Sequence, residues 1–291
     1  MSAGPFARAL PGGRLHLQHG PIDLILGADG EGAARDAAFA AAARRFATIL
    51  DELCGELPLL RRPPGRNEPQ GAVARAMAAA VAPFAADGFI TPMAAVAGAV
   101  ADAVLAAMTQ AAPLARAYCN NGGDIALHLA PRESFRLGLV DRPDAPSLFG
   151  SAGIRAADPV RGVATSGWRG RSFSLGIADA VTVLAATAAQ ADAAATVVAN
   201  TVDLPNHPAI LRVSARDIQP DSDLGARPVT RGVGPLRPGE IEAALSRGFA
   251  CARRLKERGL IHAAALHCAG VTRVLDLNAP APRKEARLAH A

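Results

Sequence analysis

The chain has 291 residues, half of them hydrophobic, and can bury a sizeable core as one large domain or two ordinary ones. Aromatic residues make up only 4%, which argues against a nucleic-acid surface built from stacked rings. The formal net charge is +5 without a long basic run, a weak indication of a phosphate-bearing ligand.

The cysteines and the N-terminal region indicate the compartment. The four cysteines lie far apart and form no C-x-x-C pair, so we expect reduced thiols rather than a zinc site or a disulfide framework. The first residues contain no apolar leader. The apolar stretch 94–112 contains Asp102 and mostly small residues, which makes it a poor membrane span. We therefore expect a cytoplasmic protein with neither membrane nor nucleic acid as a partner.

The first third of the chain predicts a hairpin followed by helices. Residues 14–27 alternate in polarity around Gly20-Pro21, and residues 31–53 have apolar positions at helical spacing. Prolines from Pro58 onward are expected to end that helix, and a proline-rich connector at 61–70 leads to a short helix at 71–84.

Thr91-Pro92 is a typical helix start, with Thr91 as the N-cap and proline in the first turn. The helix that follows, to about Gln110, consists almost entirely of small residues, so another backbone can approach it closely. Asp102 lies inside it, and a buried carboxylate needs a partner. The same small residues would suit a homo-oligomer interface.

The rest of the chain predicts antiparallel strand pairs with helices between them, which is an α+β fold over residues 1–278 followed by a charged tail at 279–291. Strands are expected at 115–119 and 125–129, joined by an Asn-Gly turn, and at 135–140, 151–156, 161–165, 178–185, 211–215, 260–268 and 271–277. A turn-rich link is expected at 141–149, helices at 188–200 and 241–258, and a loop at 217–238.

Asp192 and Thr196 lie four residues apart on the helix predicted at 188–200, so they share one face. Two hard oxygen ligands beside glycine-rich turns suit a divalent cation that holds a phosphate. The alternative is an alanine-rich helix with one buried, hydrogen-bonded Asp. The glycine-bearing turns are at 120–124, 165–167 and 168–176, and no Rossmann, Walker or G-x-S-x-G motif is present.

Four motifs in order resemble those of the ApbE superfamily, and most closely its uncharacterised UPF0280 branch. They are T-P-M-A-A-V-A-G-A-V-A-D (91–102), N-N-G-G-D-I (120–125), V-A-T-S-G (163–167) and A-D-A-A-A-T (191–196). The resemblance implies a T-fold-like arrangement of antiparallel sheets with packed helices. It also implies the activity of FAD:protein FMN transferases, which use magnesium to cleave FAD and pass FMN to a Thr hydroxyl of an acceptor protein.

The resemblance also implies site residues. The segment 94–102 would line the flavin site and give a backbone carbonyl to the metal. The metal ligands would be Asp192 and Thr196, and the catalytic carboxylate would be Asp179. The implied cofactor-binding residues are Thr91, Met93, Gly98, Asp102, Asn121, Gly122, Gly123, Asp124, Thr165, Ser166 and Gly167.

The chain departs from the family pattern at three places. The family's Lys is Ala97 here, and its first Gly-Gly is Ala94-Ala95. Its His-bearing segment has no match in 172–181, where Asp179 is the counterpart of its Asp. Three hypotheses stay open on this basis. The protein is a binder of a flavin, pterin-like or nucleotide cofactor with Mg²⁺, or a Mg²⁺-dependent FMN transferase or FAD pyrophosphatase, or a scaffold with an inactive site.

Overall fold

A nine-stranded antiparallel sheet is the centre of the computed structural model, which describes residues 4–140 and 148–277. The strands in chain order are β1 (Phe6–Leu10), β2 (Arg14–His19), β3 (Ile22–Asp29), β4 (Arg116–Asn121), β5 (Asp124–Leu129), β6 (Ser134–Val140), β7 (Leu148–Arg155), β8 (Gly162–Ser166), β9 (Ala180–Ala185), β10 (Ile210–Ser214), β11 (Pro228–Val233), β12 (Ala263–Cys268) and β13 (Val271–Leu275). The sheet order is β1-β2-β3-β4-β5-β8-β9-β12-β13, and β6–β7 and β10–β11 form separate hairpins.

Helices accompany the sheet, so the predicted α+β class is confirmed. They are α1 (Gly32–Leu60), α2 (Ala72–Val81), α3 (Val96–Ala111), α4 (Ala188–Thr201), α5 (Ala215–Ile218) and α6 (Pro238–Glu257), with short 3₁₀ turns at Ala82–Phe84 and Pro92–Ala95. The large helices pack on one face of the sheet. The buried apolar residues between them form one cluster, whose members run along the chain from Leu17 to Cys268. The single domain over 1–278 stays a prediction.

Successive side chains along a strand lie on opposite faces of the sheet, and the two faces contact different apolar clusters. Val181 and Val183 of β9 join the helix-side cluster, whereas Leu184 joins a second cluster under the β6–β7 hairpin, where Ile154 packs. Every residue of β9 is buried, as its continuous apolar pattern predicts. The hairpin therefore covers the face of the sheet opposite the helices.

Two glycines bring the start of α4 very close to its neighbours. A Cβ placed on Gly98 of α3 would lie 2.3 Å from the carbonyl oxygen of Ala188, and one on Gly162 of β8 would lie 2.0 Å from the carbonyl carbon of Thr187. Neither position can hold a side chain without a backbone shift. The predicted close approach to the small-residue helix is thus confirmed, and α4 is its neighbour.

Several predicted boundaries are wrong. Helix α1 continues through Pro58 to Leu60, because a proline in the last turn removes only one hydrogen bond while Leu60 is fully buried. Thr91 makes no side-chain cap: its hydroxyl donates to Asp223 instead. Strand β11 lies inside the segment predicted as loop, and β1 was not predicted.

Other predictions fall on segments that the structure does not describe. The turn-rich link at 141–149 lies largely outside the described residues, and so does the tail at 279–291. Within the described residues, one helical stretch, Pro92–Ala111, is long and apolar enough to cross a membrane by length and composition. Half of its most apolar window is buried inside the fold.

Candidate functional site

A cavity of about 460 Å³ lies where the β4–β5 turn, the end of β8, the loop after β8 and helix α4 meet. Ten of the residues predicted for the site line it: Asn121, Gly122, Gly123, Asp124, Thr165, Ser166, Gly167, Asp179, Asp192 and Thr196. Residues that are separated by up to 75 positions in the sequence thus share one cavity. The other predicted residues, Thr91, Met93, Gly98 and Asp102, are not among its lining residues.

The cavity lies where two neighbouring strands separate. Strands β5 and β8 share only two registered pairs, Ile125 with Val163 and Ala126 with Gly162. Beyond them the Asp124 carboxylate, not a strand carbonyl, accepts the N–H of Thr165 at 3.2 Å. This short ladder leaves space at its end, and side chains of α4 contribute to the lining there.

The β4–β5 turn requires glycine for two reasons. Gly122 and Gly123 have φ angles of 64° and 113°, in the range that favours glycine, so the tight turn is Gly-Gly rather than the predicted Asn-Gly. The Gly123 N–H donates to the Asn120 side chain at 2.8 Å. A Cβ on Gly122 would lie 2.1 Å from Nη2 of Arg171, so the guanidinium group packs directly over this residue.

Asp192 and Asp124 are the carboxylates that dominate the electrostatics of the cavity. Burial raises the pKa of Asp192 well above its usual range, and the charge of Asp124 raises it further, although the N–H groups of Gly98 and Ala97 oppose this. Burial likewise raises the pKa of Asp124 to about 7, against the Thr165 N–H and the Arg171 charge. The metal-free cavity therefore disfavours negative charge on these two carboxylates, because the protein compensates that charge only in part.

These groups fit a hard divalent cation. Asp192, Asp124 and the Thr196 hydroxyl are oxygen donors on one cavity, and a cation would relieve the repulsion between the carboxylates. Ala97 also lines the cavity, and the Asn121 amide donates to its carbonyl at 3.1 Å. Among the described residues no group of three or more His, Cys, Asp and Glu forms a metal cage. An open site that leaves positions for water and phosphate is what magnesium prefers.

Asp179 lines the cavity but is held by three donors. Its carboxylate accepts hydrogen bonds from Trp168 Nε1 at 3.2 Å, from Arg169 Nε at 2.7 Å and from the Ala269 N–H at 2.6 Å. A Cβ on Gly167 would lie 2.3 Å from the Asp179 carbonyl oxygen. These contacts fix the loop after β8 to the β12–β13 turn, and the predicted catalytic role of Asp179 stays a prediction.

The four predicted residues outside the lining have identifiable contacts, and that of Thr91 is the hydrogen bond from its hydroxyl to Asp223. Asp102 accepts the N–H groups of Ala188 and Ala189 at 3.1 and 2.9 Å, and burial raises its pKa to about 6 against these hydrogen bonds. Gly98 packs on the start of α4, and Met93 packs against the helix-side apolar cluster. Their predicted binding role stays a prediction.

Sequence reasoning missed three parts of the cavity. Arg171 lies in the glycine-bearing segment 168–176, which the sequence predicts only as a whole. The basic run R-G-R-S at 169–172 is the local pattern that could have indicated Arg171 itself. The Thr182 hydroxyl bonds that of Thr165 at 2.9 Å, within a strand whose apolar pattern conceals it. Residues 137–140 of β6 also line the cavity, and nothing local in the sequence indicates this.

Comparison with known proteins places the chain in a family. The model of the family described as AbpE bacteria matches residues 7–274. The chain is similar to the UPF0280 protein MK0206 of Methanopyrus kandleri, with 43% identity over 44% of this chain and 48% of that protein. It is also similar to a UPF0280 protein of Methanospirillum hungatei JF-1, with 34% identity over 43% of this chain and 51% of that protein. Each match therefore spans about half the length of the curated relative.

Solved structures of flavin transferases resemble the chain only distantly. The apo form of Pseudomonas stutzeri flavinyl transferase ApbE has 13% identity and a TM-score of 0.47, with 95% of each chain covered. The Thermotoga maritima ApbE protein has 11% identity and a TM-score of 0.42, with 95% of this chain and 97% of that chain covered. The AbpE bacteria family model covers nearly all of the residues that the structure describes in this chain. The protein therefore belongs to the AbpE bacteria family, in the UPF0280 branch of the ApbE superfamily.

Proposed function

We propose that the protein binds a flavin nucleotide together with Mg²⁺ in the cavity between β5, β8 and α4. The observation that carries this proposal is the carboxylate pair Asp124 and Asp192, whose charges meet in one cavity beside the Thr196 hydroxyl. Asp192, Asp124 and Thr196 would hold the cation. Membership of the ApbE superfamily supports a flavin as the ring system.

The charges of the lining support a phosphate-bearing ligand. Among the described lining residues, Arg171 is the basic side chain, and the negative charge of Asp179 is offset by Arg169. With both Asp124 and Asp192 ionised, the remaining lining charge is slightly negative. A divalent cation reverses that sign, so the anionic phosphate is attracted only when the cation is present.

The dimensions of the cavity agree with a ligand of this class. Its volume of about 460 Å³ lies within the range of ~300–1,000 Å³ typical of small-molecule sites. The lining includes the apolar residues Leu137, Leu139 and Val163, which can pack against a ring, as well as the acidic pair. One cavity thus combines apolar side chains with oxygen ligands for a cation.

Thermal melting with FMN, FAD, AMP, a pterin and riboflavin, each in Mg²⁺ and in EDTA, tests the proposal. A ligand at 100 times its dissociation constant adds about 2.7 kcal/mol to the free energy of unfolding. We expect FMN or FAD to raise the melting temperature in Mg²⁺ but not in EDTA, and the Asp192→Asn variant to lose this shift. Equal shifts in Mg²⁺ and EDTA would contradict a cation-dependent site, and no shift with any ligand would favour a scaffold.

The second candidate function is catalytic: cleavage of the FAD diphosphate, with transfer of FMN to an acceptor protein. The packing of Arg171 over the Gly122 turn favours it, because a guanidinium group near the cation site can stabilise charge on a reacting phosphate. Bound Mg²⁺ would supply Lewis-acid stabilisation of the phosphate oxygens. The chain itself would orient the diphosphate through Arg171 and the Gly122–Gly123 turn.

Product analysis separates the two candidates. The protein is incubated with FAD and Mg²⁺, with and without an acceptor protein that presents a Thr hydroxyl, and the nucleotides are resolved by chromatography. Release of AMP in the wild type and its loss in Asp192→Asn would establish turnover. Intact FAD after prolonged incubation, combined with a Mg²⁺-dependent melting shift, would leave binding as the function.

A further inference from the structure

Helices α3 and α4 are joined near their N-termini by two carboxylates, one from each helix, and each accepts backbone N–H groups of the other helix. Asp102 of α3 accepts the N–H groups of Ala188 and Ala189, the first two residues of α4. In the opposite direction, Asp192 of α4 accepts the N–H of Gly98 at 3.0 Å, in the first turn of α3. The first N–H groups of a helix have no partner within the helix, so each carboxylate satisfies donors that would otherwise be buried without acceptors.

The geometry leaves little freedom at this junction. Gly98 and Asp102 are four residues apart and face the same side of α3. At Gly98 the absence of a side chain lets Ala188 approach, and one turn later both oxygens of Asp102 are occupied by α4 backbone. A carboxylate that accepts two neighbouring amides fixes the helix both along its axis and in rotation.

Helix α4 carries its two cavity residues directly after this anchor. Asp192 lies one turn beyond Ala188, and Thr196 lies one turn further. We propose that Asp102 is a positioning residue: through the N-terminus of α4 it sets where Asp192 and Thr196 present their oxygens to the cavity. This inference rests on the proposed function for its consequence, cation binding, but the coupling between the helices can be tested without a cation.

The effect on metal binding depends on the coordination geometry that each ion requires. Magnesium requires near-octahedral geometry at ~2.0–2.1 Å, whereas calcium accepts flexible coordination at ~2.3–2.6 Å. Residues that orient metal ligands typically change metal affinity by about 10- to 100-fold when they are altered. A displaced α4 should therefore weaken Mg²⁺ binding more than Ca²⁺ binding. A general loss of stability would not produce that selectivity.

The chain offers a matched control at another helix. Glu56 accepts the N–H groups of Gln70 and Gly71 at 2.6 and 2.7 Å, immediately before α2. It makes the same kind of two-amide contact as Asp102, but neither it nor its two partners line the cavity. The variants Asp102→Asn and Glu56→Gln each keep the shape of the side chain and remove one acceptor oxygen.

The experiment measures hydrogen exchange at the Gly98 amide and the affinities for Mg²⁺ and Ca²⁺ in the wild type and both variants. We expect Asp102→Asn to lose protection at Gly98 in EDTA, because Asp192 moves with α4, and to weaken Mg²⁺ binding about 10-fold or more. Glu56→Gln should change neither. If Asp102→Asn does not fold, Asp102→Glu, which keeps the charge but displaces it by one methylene group, should show the same direction of change.

The outcomes separate this inference from the proposed function. Unchanged Gly98 protection in a folded Asp102 variant would overturn the inference, whatever the cation does. Loss of that protection in a protein whose wild type binds no Mg²⁺ would support the positioning role and contradict the proposed function. Equal loss of Mg²⁺ and Ca²⁺ affinity in Asp102→Asn and Glu56→Gln would assign the effect to general destabilisation and overturn the inference.

Discussion

The carboxylate of Asp192 accepts the backbone N–H of Gly98 at 3.0 Å through one of its oxygens. The proposed cation ligand is thus anchored to the neighbouring helix at Oδ2, while its residue also lines the cavity. Such an anchored carboxylate loses little conformational entropy when a cation binds, which is the advantage of a preorganised ligand.

The Asp192→Asn variant should show separately how the Asp192 charge affects the stability of the fold and how it affects cation binding. The asparagine keeps an oxygen for the Gly98 N–H but removes a charge that burial and Asp124 disfavour. We therefore expect the variant to melt higher than the wild type at pH 8 in EDTA, and to gain nothing from Mg²⁺. Scanning calorimetry in both conditions checks this. A variant that melts lower in EDTA would show that the charge contributes to the stability of the fold.

The stability of the metal-free protein should fall as pH rises from about 4 to 7. Burial raises the pKa of Asp124 from 3.8 to about 7, so between these values the folded protein holds a proton that the unfolded chain has lost. The contribution of Asp124 to stability then decreases with pH in this window and levels above it. The pKa of Asp192 is shifted in the same direction. Denaturant titrations at several pH values in EDTA measure the slope, which should diminish in Asp124→Asn.

Mg²⁺ should have the opposite pH dependence. A cation that binds the Asp124 carboxylate must displace its proton, so the affinity should rise as pH increases toward 7 and level above it. Isothermal titration at pH 6, 7 and 8 in two buffers of different ionisation enthalpy measures both the affinity and the proton release. A pH-independent affinity without proton release would exclude Asp124 as a ligand.

Gly122→Ala should damage both the turn and the ligand site. Alanine at a φ of 64° costs about 1–2 kcal/mol, and its Cβ would displace the Arg171 guanidinium that packs over the turn. We expect lower stability in denaturant titrations and weaker binding of FMN. The control is Gly55→Ala in α1, where nothing lies within 4 Å of the new Cβ and helix propensity predicts a gain of up to ~1 kcal/mol.

Arg171→Ala should discriminate between ligands that carry phosphate and those that do not. Arg171 is the basic side chain among the described lining residues, so its loss should weaken FMN more than riboflavin. Fluorescence titration of both flavins in Mg²⁺ gives the two affinities. An equal loss for FMN and riboflavin would assign Arg171 to the turn structure instead of the phosphate.

Local sequence patterns were sufficient for the parts of the site that depend on one element. The helical spacing of Asp192 and Thr196 and the small residues around Gly98 correctly predict α4 and its close neighbour. The pattern also shows that Asp102 needs a partner, but not that its partner is the start of α4. That contact joins residues more than 80 positions apart, and sequence spacing cannot indicate it.

The remaining misses also come from long-range pairing. The cavity exists because β5 and β8 pair over only two positions, and no residue of either strand signals where that ladder ends. Strand β11 begins with Pro228 and pairs only with β10, so its local pattern resembles a loop. Arg171 reaches the site by packing over Gly122 from a distant loop.

Titration of FMN into the wild-type protein at pH 8, once in Mg²⁺ and once in EDTA, tests the central claim most directly. We predict saturable binding in Mg²⁺ that disappears in EDTA and in Asp192→Asn, because the acidic cavity attracts a phosphate only through a bound cation. The same affinity in both solutions, or undiminished binding by Asp192→Asn, would contradict the claim that Asp124 and Asp192 form the cation site of a flavin nucleotide.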